Sequence, residues 1–220
     1  MGSKARNALD ENLKDVKKLL ELHAQEGGAK QGRRYGLEVL NKSAIVLLTS
    51  FWEAYCEDVA AEGLEFIVEH APDADKLPTT IKRAVAEQLK KDSHDLAIWQ
   101  ISDKKWRDLL LSNMADLKRL RDRKLNTPKS DNIDQLFASA IGLDKVSQAW
   151  RWEKQTSEKA RSRLDDLVTL RGSIAHRGKA EEAVLKVQVE EYLGLVTRLA
   201  AKTGGAVKKH VHGITGKDLF

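Results

Sequence analysis

The sequence predicts an all-α protein. Three observations carry this: only three prolines among 220 residues, an aromatic content of 5%, and long stretches of Ala, Leu, Glu, Lys and Arg in which apolar residues recur at helical spacing. Straight-chain residues of this kind lose little side-chain freedom in a helix, so local propensity and periodicity agree. Hydrophobic residues make up 41% of the chain and charged residues 32%, a balance suited to one modest core under a highly charged surface. The formal charge of +5, from 38 Lys and Arg against 33 Asp and Glu, invites a polyanionic partner without requiring one. Cys56 is the only cysteine, which excludes an internal disulfide framework and a Cys-rich zinc site and makes a reducing, cytoplasmic setting the expectation. Charges interrupt every apolar run before about 18 residues accumulate, and the opening Met-Gly-Ser-Lys-Ala-Arg has no apolar leader region.

The first helix is expected from Lys4 to about Gln25, where Leu9, Leu13, Val16, Leu19, Leu20 and His23 share one face and Gly27-Gly28 ends the run. A longer stripe from Leu37 through Ala44, Leu48, Phe51, Tyr55, Val59 and Leu64 predicts a second helix reaching His70, closed by Pro72. Asp73 to Pro78 reads as a linker, and Thr79 or Thr80 as N-cap of a third helix carrying Ile81, Val85 and Leu89. A fourth helix is expected from Ser102 through Trp106, Leu109, Leu110, Met114, Leu117 and Leu120. Its end is basic, with Lys118, Arg119, Arg121, Arg123 and Lys124 against Asp122, where the helix dipole itself favours cations.

Asn126 to Asp131 reads as a structured loop before a short helix from Ile133 to Ala140 that Gly142 stops. Trp150 and Trp152 are large anchors where the chain docks back on the core. Apolar spacing through Ala160, Leu164, Leu167, Val168, Leu170 and Ile174 predicts a helix from Thr156 to Ala175, with Arg177-Gly178 after it. The last long helix is expected from Glu181 to Lys202, followed by a break at Gly204-Gly205 and a short basic tail. Residues 1–34 form an N-terminal helix and loop and residues 35–220 the main helical domain, the two expected to make one compact domain.

No Gly-rich phosphate loop, nucleophile elbow or helical zinc motif is present, which argues against nucleotide triphosphatases, α/β hydrolases and zinc peptidases. The most informative stretch is Leu170-Arg171-Gly172-Ser173-Ile174-Ala175-His176-Arg177-Gly178, an arginine and a histidine five positions apart at a helix end. On a regular helix the two point about 140° apart, so within one chain they converge only if the helix unwinds. Together they supply what RNA phosphodiester cleavage needs. Histidine titrates near neutrality and can move a proton, and arginine is a fixed planar cation for phosphoryl oxygens, so no metal or other cofactor is required. By spacing alone the pair reads more readily as a surface helix cap than as a catalytic pair.

Arg171 to His176 also matches the signature of an arginine, four to six residues and a histidine that marks the HEPN superfamily. Further stretches resemble its RiboL-PSP-HEPN branch: Ser50 to Asp58, Leu125 to Lys129 followed by Asn132 to Phe137, Gly142-Leu143, Trp150-Arg151-Trp152, and Ile214 to Lys217. The resemblance covers the chain from about Leu37 to its end. It implies an antiparallel helical bundle that dimerises so that Arg171 and His176 of both protomers line one RNA cleft, a metal-independent endoribonuclease leaving 2′,3′-cyclic phosphate ends. It further implies a toxin or phage-defence effector with an antitoxin or defence-system partner.

The resemblance also points to Glu53, on an early helix, as the third catalytic residue, in a polar stripe with Thr49, Ser50 and Glu57. Arg177 and Ser173 are its RNA-binding candidates. Gly172 departs from the pattern, because active members often carry Asn, Asp or His there. This leaves an alternative open: a non-catalytic module that binds nucleotide or RNA, or holds partner proteins. The remaining chemistry-bearing residues read as structural. His210-x-His212 lacks an acidic or cysteine partner for a metal, Cys56 reads as packed, and Trp99, Trp106, Trp150 and Trp152 read as core anchors.

Overall fold

A computed structural model describes residues 2–27, 36–91, 94, 96, 99, 101, 102, 105–112, 127–177 and 183–220, the side chains of Gly27, Gln88, His176 and Arg177 excepted. Among them are seven α-helices and no strand: α1 Lys4–Gly27, α2 Glu38–His70, α3 Thr79–Lys91, α4 Lys105–Ser112, α5 Ser130–Ile141, α6 Ser157–Arg177 and α7 Lys186–Thr215. Short 3-10 turns occupy Ala74–Lys76 and Val146–Ala149.

The spine is α2, whose 33 residues span about 50 Å. Buried residues occur all around it, including Asn41, Ile45, Leu48, Trp52, Tyr55, Val59, Leu64 and Ile67, because neighbours enclose it. Long-range hydrogen bonds fix their directions. Ser3 Oγ and Ala5 N donate to Glu62 at 2.8 and 2.7 Å, so α1 begins beside the far end of α2 and runs antiparallel to it. Asn41 Nδ2 donates to Val184 O at 2.8 Å and Tyr55 Oη to Ala200 O at 2.7 Å, so α7 runs parallel to α2. Pro128 O accepts from Trp52 Nε1 at 3.4 Å, and Ile141 packs on Gly63, which makes α5 parallel as well. At the end of α2, the Arg107 guanidinium of α4 donates to the carbonyls of Val68, Glu69 and Ala71. It thereby satisfies acceptors the helix terminus leaves open.

Trp52, Tyr55 and Trp150 form the aromatic centre, with Trp52 lying 6.0 Å from Tyr55 and 5.9 Å from Trp150 between ring centroids. Trp150 Nε1 donates to Thr203 Oγ1 at 2.9 Å, so the indole is buried without an orphaned donor. Trp106 is buried too, but Trp99 is 67% exposed and is not a core anchor.

Several boundaries differ from expectation. α7 passes through Gly204-Gly205 unbroken to Thr215. The reason is packing: a Cβ on Gly204 would lie 2.9 Å from the Tyr55 hydroxyl, so this glycine allows a close approach instead of ending a helix. α5 starts at Ser130, three residues early, because the Asp165 carboxylate accepts from Ser130 N and Oγ at 2.8 and 3.0 Å. α3 starts at Thr79 with Pro78 O accepting from Lys82 N, which puts Thr79 and Thr80 inside the first turn. α4 is described from Lys105; the expected continuation through Met114, Leu117 and Leu120 and the basic run Lys118 to Lys124 lie outside the described residues. Gly142 does end α5, in a left-handed conformation at φ 72° tucked against Pro78.

Candidate active site

The core-facing stripe of α6 consists of Ala160, Leu164, Leu167, Val168 and Ile174, all buried. Thr156 starts the helix: its Oγ1 accepts from Lys159 N at 3.3 Å and its carbonyl from Ala160 N at 3.0 Å. Arg171 falls between Leu167 and Ile174 at spacings of four and three, on the margin of that stripe. It is therefore half-buried, and its Nε is shielded from solvent with no hydrogen-bond partner among the described residues.

Within electrostatic reach of it, in the middle of α2, is Glu53, also half-buried. Burial raises the Glu53 carboxyl above the ordinary carboxylate range, and the nearby Arg171 cation pulls it partway back. Two residues 118 positions apart in sequence thus share one electrostatic environment. Because Arg171 lies opposite Glu53, and Val184, beyond the end of α6, returns to Asn41, α6 runs antiparallel to α2.

The helix continues without interruption through Gly172 to Arg177. The helix does not unwind there, so positions 171 and 176 stay about 140° apart around the axis and about 7.5 Å apart along it. The side chains of His176 and Arg177, and all of Gly178, lie outside the described residues. Ser173 is half-buried and about 200° round the helix from Arg171. Of the stripe expected beside Glu53, Thr49 Oγ1 donates to Ile45 O at 2.9 Å and Ser50 Oγ to Val46 O at 3.1 Å, so both hydroxyls are engaged with their own helix. A Cβ on Gly172 would meet nothing within 4 Å, so packing does not demand glycine there.

Among the described residues no group of three or more His, Cys, Asp or Glu could hold a metal ion. His210 Nε2 lies 2.8 Å from Ile141 O, a contact that ties α7 to α5. Cys56 is fully buried, and burial together with Glu57 and Glu53 pushes its thiol well above the ordinary range, the opposite of a reactive thiolate.

The other stretches that carry the family likeness build scaffold. Asn132 Nδ2 donates to Thr127 O at 2.7 Å, and Asp134 accepts from Ser147 N and Oγ at 2.8 and 2.7 Å. Arg161 joins the same cluster, donating to Asp134, Ser147 and Asp131. Sequence reasoning did not single out Arg161 or Asp165. Their one local signal is opposite charge four residues apart on α6, which says nothing about partners some thirty residues away.

The RiboL-PSP-HEPN family model matches residues 9–209, so the likeness includes α1. No curated protein and no solved structure matches the chain. The match spans nearly the whole sequence, and the helical bundle and the Arg171-to-His176 spacing agree with it: this chain belongs to the RiboL-PSP-HEPN family, an all-α family of HEPN type.

Proposed function

We propose that the protein is a metal-independent endoribonuclease of HEPN type, acting as a homodimer. The observation that carries the proposal is the half-buried Arg171 in the family motif of α6, its Nε shielded from solvent and without a hydrogen-bond partner among the described residues, whose charge reaches the half-buried Glu53 of α2. A cation held in a partly desolvated position acts more strongly on a phosphoryl group than one in water. Arg171 stabilises the charge on the pentacoordinate phosphorane, and Glu53 orients the guanidinium. His176 moves protons between the attacking 2′-hydroxyl and the leaving 5′-oxygen, and the 2′-oxygen displaces the 5′-oxygen to leave a 2′,3′-cyclic phosphate. Ser173 and Arg177 contribute RNA contacts.

The regular backbone through position 176 favours a site completed across a two-fold axis, because one protomer keeps its arginine and histidine positions on different faces. Leu185 and Val187, 59% and 55% exposed at the start of α7, supply apolar surface for that contact. We further propose that residues 1–34 and 35–220 act as one unit in the cytoplasm, as a toxin or phage-defence effector held in check by a partner. No helix among the described residues is long and apolar enough to cross a membrane.

A second reading, a non-catalytic RNA-binding or protein-interaction module, is favoured by Gly172 alone. Incubation of purified protein with end-labelled RNA in EDTA separates the two. Cyclic-phosphate products that vanish in Arg171→Ala and His176→Ala, with helicity and dimer intact, support the nuclease. A gel shift without products supports the module.

A further inference from the structure

At the opposite end of α6 from Arg171, about 20 Å away along the helix, a cavity of about 570 Å³ lies between the Trp152–Gln155 turn and α7. Its volume is within the range of small-ligand sites. Trp152 is half-buried, with the Arg198 guanidinium over its ring at 5.7 Å from the centroid. Lys202, one turn beyond Arg198 on the same exposed face, and Lys154 also line the cavity, against the single carboxylate of Glu153. Like charges four apart on a helix repel unless an anion lies between them, and Arg198 and Lys202 have no carboxylate partner among the described residues. Two further features mark the turn as more than a connection. Lys154 holds a left-handed backbone at φ 62°, uncommon for a residue with a Cβ, and the Gln155 Nε2 is buried with no hydrogen-bond partner among the described residues.

We infer that this cavity is a second RNA site, which seats one nucleotide of a single strand with its base against Trp152 and its phosphate between Arg198 and Lys202. An aromatic face beside a cationic track is the combination that single-stranded nucleic acid uses. Rotation of the Gln155 side chain, which lines the cavity, turns its unpartnered amide toward a carbonyl on the base edge. An acidic peptide would engage the cations but leave the indole and the amide without a role. The inference rests on RNA being the substrate, as proposed above, and concerns where the strand is held, not where it is cut.

The test is fluorescence anisotropy with labelled octauridylate on the full chain carrying Arg171→Ala, which removes cleavage. Adding Arg198→Ala and Lys202→Ala, both at exposed positions of α7, is expected to weaken binding at least tenfold. Loss of this one phosphate contact also reduces the slope of log K against log salt by about 0.7. Trp152→Leu, which keeps an apolar plug, weakens binding about tenfold with the slope unchanged, since stacking is salt-independent. Unchanged affinity and slope in the double variant overturn the site, as does displacement of the RNA by a tetraglutamate peptide at the concentration at which unlabelled octauridylate competes. Cleavage by the wild type together with unaltered binding in the double variant sinks this site alone. Binding that depends on Arg198 and Lys202 in a wild-type protein that cuts no RNA sinks the nuclease reading alone.

Discussion

Gly204→Ala tests whether the close contact between α2 and α7 is what demands glycine in the middle of a long helix. In an unobstructed helix interior, glycine to alanine gains about 1 kcal/mol from backbone entropy. Here the new Cβ would sit 2.9 Å from the Tyr55 Oη, closer than carbon and oxygen tolerate, and that hydroxyl is held at 2.7 Å from Ala200 O with its residue 2% exposed. Displacing the hydroxyl forfeits about 1 kcal/mol of hydrogen bonding, and crowding a packed interface adds about 1–3 kcal/mol. The net is a destabilisation of roughly 1–3 kcal/mol, read as a fall of about 2–4 °C in Tm per kcal/mol for a chain of this length.

In a Tyr55→Phe background the sign reverses. With the hydroxyl gone, the nearest other atom to the new Cβ is Phe220 Cζ at 4.0 Å, and the helix gain of about 1 kcal/mol is recovered. Urea denaturation of the four proteins, followed by helical circular dichroism, gives the coupling directly, with about 2–4 kcal/mol expected. An equal cost of Gly204→Ala in both backgrounds refutes the reasoning, since glycine would then be serving something other than the Tyr55 contact.

Three further outcomes follow from the same kind of argument. Gly172→Ala stabilises the protein by about 0.5–1 kcal/mol in thermal melts, because its Cβ meets nothing within 4 Å; destabilisation would mean that the α6 backbone at that point is not regular. Arg107→Ala removes donors to three carbonyls at the end of α2 and lowers stability by about 2 kcal/mol in urea titrations, with a null effect showing that water replaces the guanidinium. Glu53→Gln stabilises the fold at neutral pH and not in acid: burial raises the folded-state carboxyl above its unfolded value, so ionisation opposes folding, and the penalty is absent below the unfolded pKa and appears as pH rises through the folded one. A stability difference between Glu53→Gln and wild type that is the same at every pH refutes this.

What the sequence disclosed depended on how local the cause was. The ends of α2 were legible to within a residue because Ala71 and Pro72 stop the helix on their own, and Gly142 announced the end of α5 through its left-handed backbone. The start of α5 was not, because the group that caps Ser130 is Asp165, 35 residues later. Gly204-Gly205 misled for the same reason in reverse: a glycine pair reads as a break until Tyr55, 149 residues earlier, is seen to fill the missing Cβ. At the site, periodicity placed Arg171 on a helix near a core stripe, but nothing in its neighbourhood named Glu53 as the opposite charge. Glu53 was singled out by family likeness, and in the fold the Arg171 charge reaches its carboxyl.

Comparison with Glu62, another half-buried carboxylate of α2, shows why Glu53 stands apart. A carboxylate on a helix enclosed by neighbours is unfavourable unless bonded. Glu62 is fully engaged: Ser3 Oγ and Ala5 N hold it at 2.8 and 2.7 Å, and the positive end of the α1 dipole stabilises its charge, so replacing it loosens the packing of α1. Glu53 has no such bonds among the described residues, and burial outweighs the one cation that faces it. A group left in that state opposes folding at neutral pH, yet it remains on the helix against which α1, α4, α5, α6 and α7 pack. Removing it therefore stabilises the fold, and if Glu53 holds the Arg171 guanidinium for phosphate, the same change slows cleavage: opposite signs in the two readouts are what distinguish a functional carboxylate from a structural one.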